Sequence, residues 1–311
     1  MHWQGTHGHG AHGHGAHGQG ARGLTFTRIG PQRDVLGECP VWDADAQALF
    51  WVDIRRPALR RLDRTGAVDT RIMPDLVGAV ALAGDGRLLV AVAGEVALYD
   101  WATARLDTVA TLPDRPPGHR FNDGRCDRQG RFWVGTMHND TRAPEGTLFR
   151  LEGGALLPVR TGVQIPNSLA WSPDGRTMYF ADSLRHAIEA LPYDPSTGTA
   201  GPGRDIVRTA PPGFPDGSAV DADGFLWNAE FNAARLVRYA PDGTVDRVLP
   251  TPVARPTSCA FGGPDLATLY VTTTSQAMTE AELRDNPLAG ALLACVPGVR
   301  GLPEPVWQMA A

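Results

Sequence analysis

The sequence predicts an all-β fold, a six-bladed β-propeller with four-stranded antiparallel blades. Three observations predict it. One short plan is written six times between residues 38 and 273: a polar residue, an apolar strand, an Asp/Gly turn and an aromatic strand. The aromatic strands recur every 39 to 48 residues, at Phe50, Leu89, Trp133, Tyr179, Trp227 and Tyr270. No stretch shows the apolar period of a long amphipathic helix. Four short strands in every roughly 40–50 residues is the period of propeller blades, whereas solenoid repeats are shorter or helical.

The elements follow in order. Residues 1–23 hold six of the nine histidines among glycines and lack the apolar content to pack. They read as a disordered His/Gly-rich tail or a metal-scavenging tract, set apart from a single propeller domain at 24–311, and without the apolar core of a secretory signal. The segment 24–30 is expected to supply the outer strand of the last blade, closing the ring and hiding two sheet edges. Inner segments begin at Glu38, Gly78, Asn122, Asn167, Asp216 and Thr257, each eight positions before the end of its turn. Second strands are expected at 49–53, 88–90, 132–136, 178–182, 226–230 and 269–273. Third strands are expected at 58–63, 95–100, 146–151, 187–193, 234–239 and 290–296. Polar outer strands such as 68–73 and 245–250 follow. Asp123, Asp174 and Asp223 precede turn glycines and read as turn formers. Trp42, Trp51, Trp133, Trp171 and Trp227 read as blade core.

Composition bounds the function. All 29 basic residues are arginine, and the net charge of −5 gives no basic footprint for nucleic acid. No stretch approaches the ~18 apolar residues of a membrane span. The four cysteines form no CxxC pair; Cys39, Cys126 and Cys259 fall in inner segments and read as small buried side chains. This favours a reducing, cytoplasmic setting. The expected state, which the cysteines do not decide, is a monomer or weak homo-oligomer.

Inner strands of a propeller surround a channel, so the residues that begin them ring one mouth. Glu38, Asn122, Asn167 and Asp216, from four blades, converge there, the pattern expected of an active site. Two carboxylates and two amide oxygens are hard ligands that suit one divalent cation such as Ca²⁺, Mg²⁺ or Mn²⁺. No histidine or cysteine begins an inner segment, which disfavours imidazole or thiolate zinc, although zinc accepts oxygen ligands. Such a cation polarises a carbonyl and acidifies a bound water, and Asp216 is placed to hold it and to orient or deprotonate that water. Arg120, two residues before Asn122, offers a planar fork to substrate oxygens. His138 and His186 stand alone, with no Ser or Cys nucleophile motif.

The motifs Leu36-Gly37-Glu38-Cys39-Pro40-Val41-Trp42, Arg120-Phe121-Asn122-Asp123-Gly124, Gly135-Thr136-Met137, Ile165-Pro166-Asn167-Ser168, Pro215-Asp216-Gly217 and Pro256-Thr257-Ser258-Cys259-Ala260-Phe261-Gly262-Gly263 stand in one order along the chain. Together they resemble the regucalcin (senescence marker protein)/gluconolactonase family, over about residues 36–301. The resemblance implies a six-bladed propeller that hydrolyses a small-molecule sugar lactone to its aldonic acid with a divalent metal: Ca, Zn, Mn, Mg or Fe(II). It implies Glu38, Asn167 and Asp216 as metal ligands, Asp216 as general base, and Arg120 and Asn122 as lactone contacts. A substrate-contacting glutamate of some members falls at Asp140, one methylene shorter. Two other readings keep the fold: an organophosphate-hydrolysing propeller, or a calcium-binding propeller without enzymatic activity.

Overall fold

The second strand of each blade is buried along nearly its whole length, because a blade lies between two neighbours and presents apolar side chains to both. The computed structural model describes residues 24–141 and 143–308; the expected disordered tail at 1–23 lies outside them. Six small antiparallel sheets form a ring. Blade 1 comprises Gly37–Asp43, Ala48–Asp53, Ala58–Leu62 and Val68–Ile72. Blade 2 comprises Val77–Ala83, Leu88–Val92, Glu95–Asp100 and Arg105–Thr111. Blade 3 comprises His119–Cys126, Phe132–His138, Gly146–Glu152 and Ala155–Val163. Blade 4 comprises Pro166–Trp171, Thr177–Asp182, Ala187–Asp194 and Arg204–Arg208, with a short extra strand at Thr199–Ala200. Blade 5 comprises Phe214–Val220, Leu226–Phe231, Arg235–Tyr239 and Val245–Pro250.

Blade 6 is made from both ends of the described chain. Pro256–Gly262, Thr268–Thr273 and Leu292–Cys295 are completed by Thr27–Ile29, which pairs antiparallel with Leu292–Cys295. This is the closure expected of residues 24–30. The inner strands pack side by side in ring order, the first against both the second and the sixth.

Turn chemistry follows the residues. Asp127 Oδ1 accepts the amides of Gln129 and Arg131, and Asp221 Oδ1 those of Asp223 and Phe225. The turn glycines Gly130 and Gly224 have φ of 84° and 87°, where a side chain is strained. The five tryptophans expected in blade cores are buried. All four cysteines are free and buried.

Two features lay outside the expectations. The long connection in blade 6 carries a one-and-a-half-turn helix, Glu280–Asp285, started by a capping box between Thr279 and Glu282. After Cys295 the chain runs across the underside of the ring. Gly301 bridges to Asp221 of blade 5, Glu304 meets Arg125 at 2.7 Å, and Val306–Trp307 adds a parallel strand to Val77–Ala83 of blade 2. Small voids of about 20 and 10 Å³ lie around Arg125, Glu304 and Pro305. This segment plugs the lower end of the channel.

Candidate active site

Every inner strand slips register at the residue that begins the repeat. Pairing jumps from Glu38 to Val41, Val77 to Ala79, Phe121 to Gly124, Asn167 to Ala170, Pro215 to Ser218 and Pro256 to Ser258. A β-bulge bends the strand and re-aims a side chain. In blades 1 and 4 the next residue, Cys39 or Ser168, adopts a left-handed φ of 50° or 64° that few side chains accept. Two buried carboxylates fix the approach to these bulges. Asp53 accepts the amides of Val35 and Leu36, and Asp182 those of Gln164 and Ile165.

The structure brings Glu38, Arg120, Asn122, Asn167 and Asp216 together in the upper mouth, a cavity of about 420 Å³ that Asp140 also lines. The first five are buried; Asp140 is exposed. The other two repeat positions do different work. Thr257 donates to the Gly37 carbonyl at 2.5 Å and stitches blade 6 to blade 1. A Cβ on Gly78 would lie 2.4 Å from the backbone of Phe121, so blade 2 must yield space to blade 3.

The amides are held in one polarity. Arg120 Nη1 donates to Asn122 Oδ1 at 2.6 Å, and Asn122 Nδ2 to Asn167 Oδ1 at 3.1 Å. Asn167 Nδ2 donates to Ser183 Oγ at 2.8 Å, which donates to the Pro215 carbonyl beside Asp216. Asn228 Nδ2 donates to the Asp216 carbonyl at 2.9 Å from below. This chain crosses three blades and fixes which amide oxygens face the cavity.

The electrostatics favour a cation. Burial first, then Asp123, push Glu38 up to about 8. Burial, then Glu38 and Asp123, push Asp216 well above the usual carboxylate range. Asp216 Oδ1 is buried and has no hydrogen-bond partner among the described residues. Among the described residues no group of three His, Cys, Asp or Glu is placed to bind a metal. The set here is instead two carboxylates and an amide. Two buried carboxylates that repel each other, one with an orphaned oxygen, fit a divalent cation held by Glu38, Asn167 and Asp216.

Arginines line the wall. Arg120 Nε donates to Asn139 Oδ1, and burial together with neighbouring Arg55 lowers Arg120 to about 9. Arg55 donates to the same Asn139 Oδ1 and to Gln276 Oε1, while Arg255 donates to Asn232 Oδ1 and to the Gln276 carbonyl.

Three readings change. Asp123 is not a turn former: it sits in the bulge of blade 3, and its Oδ2 accepts the Leu169 amide of blade 4 at 3.0 Å. Asp223 lies in its turn, but the carboxylate that orders that turn is Asp221, two residues earlier. His138 is not isolated: its ring meets His119 edge to face at 5.2 Å, and its Nδ1 accepts the Asp140 amide. Sequence reasoning also missed Arg55, Arg255, Ser183, Asp53 and Asp182. The last two carried a signal, since each lies fifteen residues after its site residue, Glu38 or Asn167.

Known proteins resemble this chain. The family described as the SMP-30/Gluconolactonase/LRE-like region matches residues 36–275. A 6-deoxy-6-sulfogluconolactonase of Pseudomonas putida is 38% identical, the match covering 89% of this chain and 96% of that protein. A pentonolactonase of Haloferax volcanii is 36% identical over 90% of this chain and 97% of its own. A crystal structure of regucalcin from Agrobacterium tumefaciens, described as a calcium-binding protein, superimposes with a TM-score of 0.89 at 30% identity, covering 92% of this chain and 98% of that one.

Proposed function

The chain belongs to the SMP-30/gluconolactonase/LRE-like family, and on that premise we propose that it hydrolyses a sugar lactone to the open aldonic acid with one divalent cation. The observation that carries the reading is the buried Glu38/Asp216 pair with the unpartnered Asp216 Oδ1, at the floor of a cavity large enough for a sugar. The named lactonases among the relatives support the substrate class. The relative described as calcium-binding supports a divalent ion.

Glu38, Asn167 and Asp216 would hold the cation, which when bound supplies Lewis acidity toward the lactone carbonyl and lowers the pKa of water. Asp216 Oδ1 takes the proton of the attacking water as its oxygen bonds to the carbonyl carbon. The ring C–O bond then breaks, and the leaving oxygen takes that proton back from Asp216 to become the hydroxyl. Arg120 is already oriented by Asn139 and Asn122, and among the described residues its Nη2 has no protein acceptor, which leaves its donors to the sugar oxygens. Asn122 fixes Asn167 and, with Arg120, the ring, which is positional work.

The test is acid release from a panel of five- and six-carbon sugar lactones. The protein is stripped of metal, then reloaded with Ca²⁺, Mn²⁺, Zn²⁺, Mg²⁺ or Fe²⁺. Turnover that vanishes on chelation and returns with one ion supports the scheme. Folded protein that binds Ca²⁺ and turns over no lactone overturns it in favour of a binding role.

A further inference from the structure

Three arginines from three parts of the ring climb the cavity wall. Arg120 is buried near the floor, and Arg55 and Arg255 are half-buried nearer the mouth. Several other buried or half-buried arginines rest on carboxylates, Arg60 on Asp34, Arg125 on Glu304, Arg160 on Glu189 and Arg238 on Asp221, while Arg28, Arg33 and Arg247 donate to backbone carbonyls. The wall arginines make no such pair among the described residues. Their acceptors are neutral amides and carbonyls, and these link them: Asn139 serves Arg120 and Arg55, and Gln276 serves Arg55 and Arg255. Nη2 of Arg120 and of Arg255 is left without a protein acceptor among the described residues. Glu38, Asp216 and the exposed Asp140 line the same cavity; Glu38 and Asp216 would face the cation, which leaves Arg55 and Arg255 on the wall for another anion. Guanidinium forks match planar or tetrahedral oxyanions with paired donors. The carboxylate released by hydrolysis forms at the floor beside Asp216, so it does not account for the two arginines above.

We propose that Arg55, Arg120 and Arg255 receive an anionic substituent of the lactone (a sulfonate, phosphate or carboxylate) carried on the sugar carbon away from the lactone carbonyl. The inference rests on the lactonase reading for its substrate and on the arginines for its charge. The test compares kcat/KM for gluconolactone with that for its 6-sulfo, 6-phospho and 6-carboxylate counterparts in the metal-loaded protein. At least one anionic lactone is expected to exceed the neutral one tenfold or more, and the preference to shrink as NaCl is raised. In Arg55→Gln and Arg255→Gln the anionic-to-neutral ratio is expected to fall about tenfold, through KM, with partial recovery in Arg255→Lys. Equal ratios in the wild type overturn the proposal, and the favoured anion identifies the substituent. If no lactone is hydrolysed, the lactonase reading fails separately, and calorimetry decides the anion site. Tighter binding of the 6-sulfo, 6-phospho or 6-carboxylate acid than of gluconate, lost in Arg255→Gln, supports it; equal binding of all four overturns it.

Discussion

Asp216 combines two properties that rarely coexist: a buried carboxylate and an oxygen with no partner among the described residues. Asp216→Asn keeps the shape and removes the basicity. It is expected to lower kcat on the order of 10²–10⁴-fold, measured at saturating metal so that lost binding is not mistaken for lost chemistry. Near-normal kcat in that variant would remove Asp216 from the proton transfer. Ser183 touches no substrate in this scheme. It receives Asn167 Nδ2 and so holds Asn167 Oδ1 toward the cavity. Ser183→Ala is expected to weaken metal affinity about 10–100-fold, the usual effect of losing a partner behind a ligand. The readout is metal titration by calorimetry, with kcat at saturating metal changed far less. At this scale the sequence was informative wherever a residue recurs at a fixed register, as Glu38, Asn122, Asn167 and Asp216 do. It was silent on Arg55 and Arg255, which lie in connections whose length and residues change from blade to blade. It misled at Asp123, where Asn-Asp-Gly has the composition of a turn but the bulge of an inner strand.

The bulge is the element on which the site depends. It turns a strand that would alternate its side chains into one that aims a chosen residue up the channel. In blade 1 this requires Cys39 at φ 50°. Cys39→Val places a β-branched side chain in that conformation, which costs about 1–2 kcal/mol. The expected result is a urea midpoint lowered accordingly and weaker metal binding, because Glu38 is re-aimed. Unchanged metal affinity in a folded Cys39→Val protein would show that the bulge does not set the Glu38 direction. Blade order and strand positions were legible because aromatic runs and Asp/Gly turns repeat with the sheet. The bulges were not, since two positive-φ residues leave no compositional trace when they are Cys and Ser rather than Gly. The segment after Cys295 was equally hidden: it crosses the ring once and repeats nothing.

Across the molecule, stability rests on stacked blades whose cores contain thiols as small apolar side chains. Burial pushes Cys39, Cys259 and Cys295 up to about 12, and Cys126 well above its ordinary 9.0. A thiol with a raised pKa stabilises the fold fully below the unfolded value, and that contribution is lost as pH rises from about 9 toward 12. The urea midpoint is therefore expected to decline steadily above pH 9. A thiol reagent at pH 8 is expected to label none of the four in folded protein and all four in urea. Rapid labelling of folded protein would contradict the packing around them.

The segment that runs beneath the ring has a kinetic meaning as well. With Glu304, Pro305 and Trp307 filling the lower end, the channel is a blind well rather than a tunnel. Substrate arrives and acid departs through one opening, past the same arginines. Product must vacate before the next lactone binds, so the released acid is expected to inhibit competitively, raising apparent KM in initial-rate assays without lowering kcat.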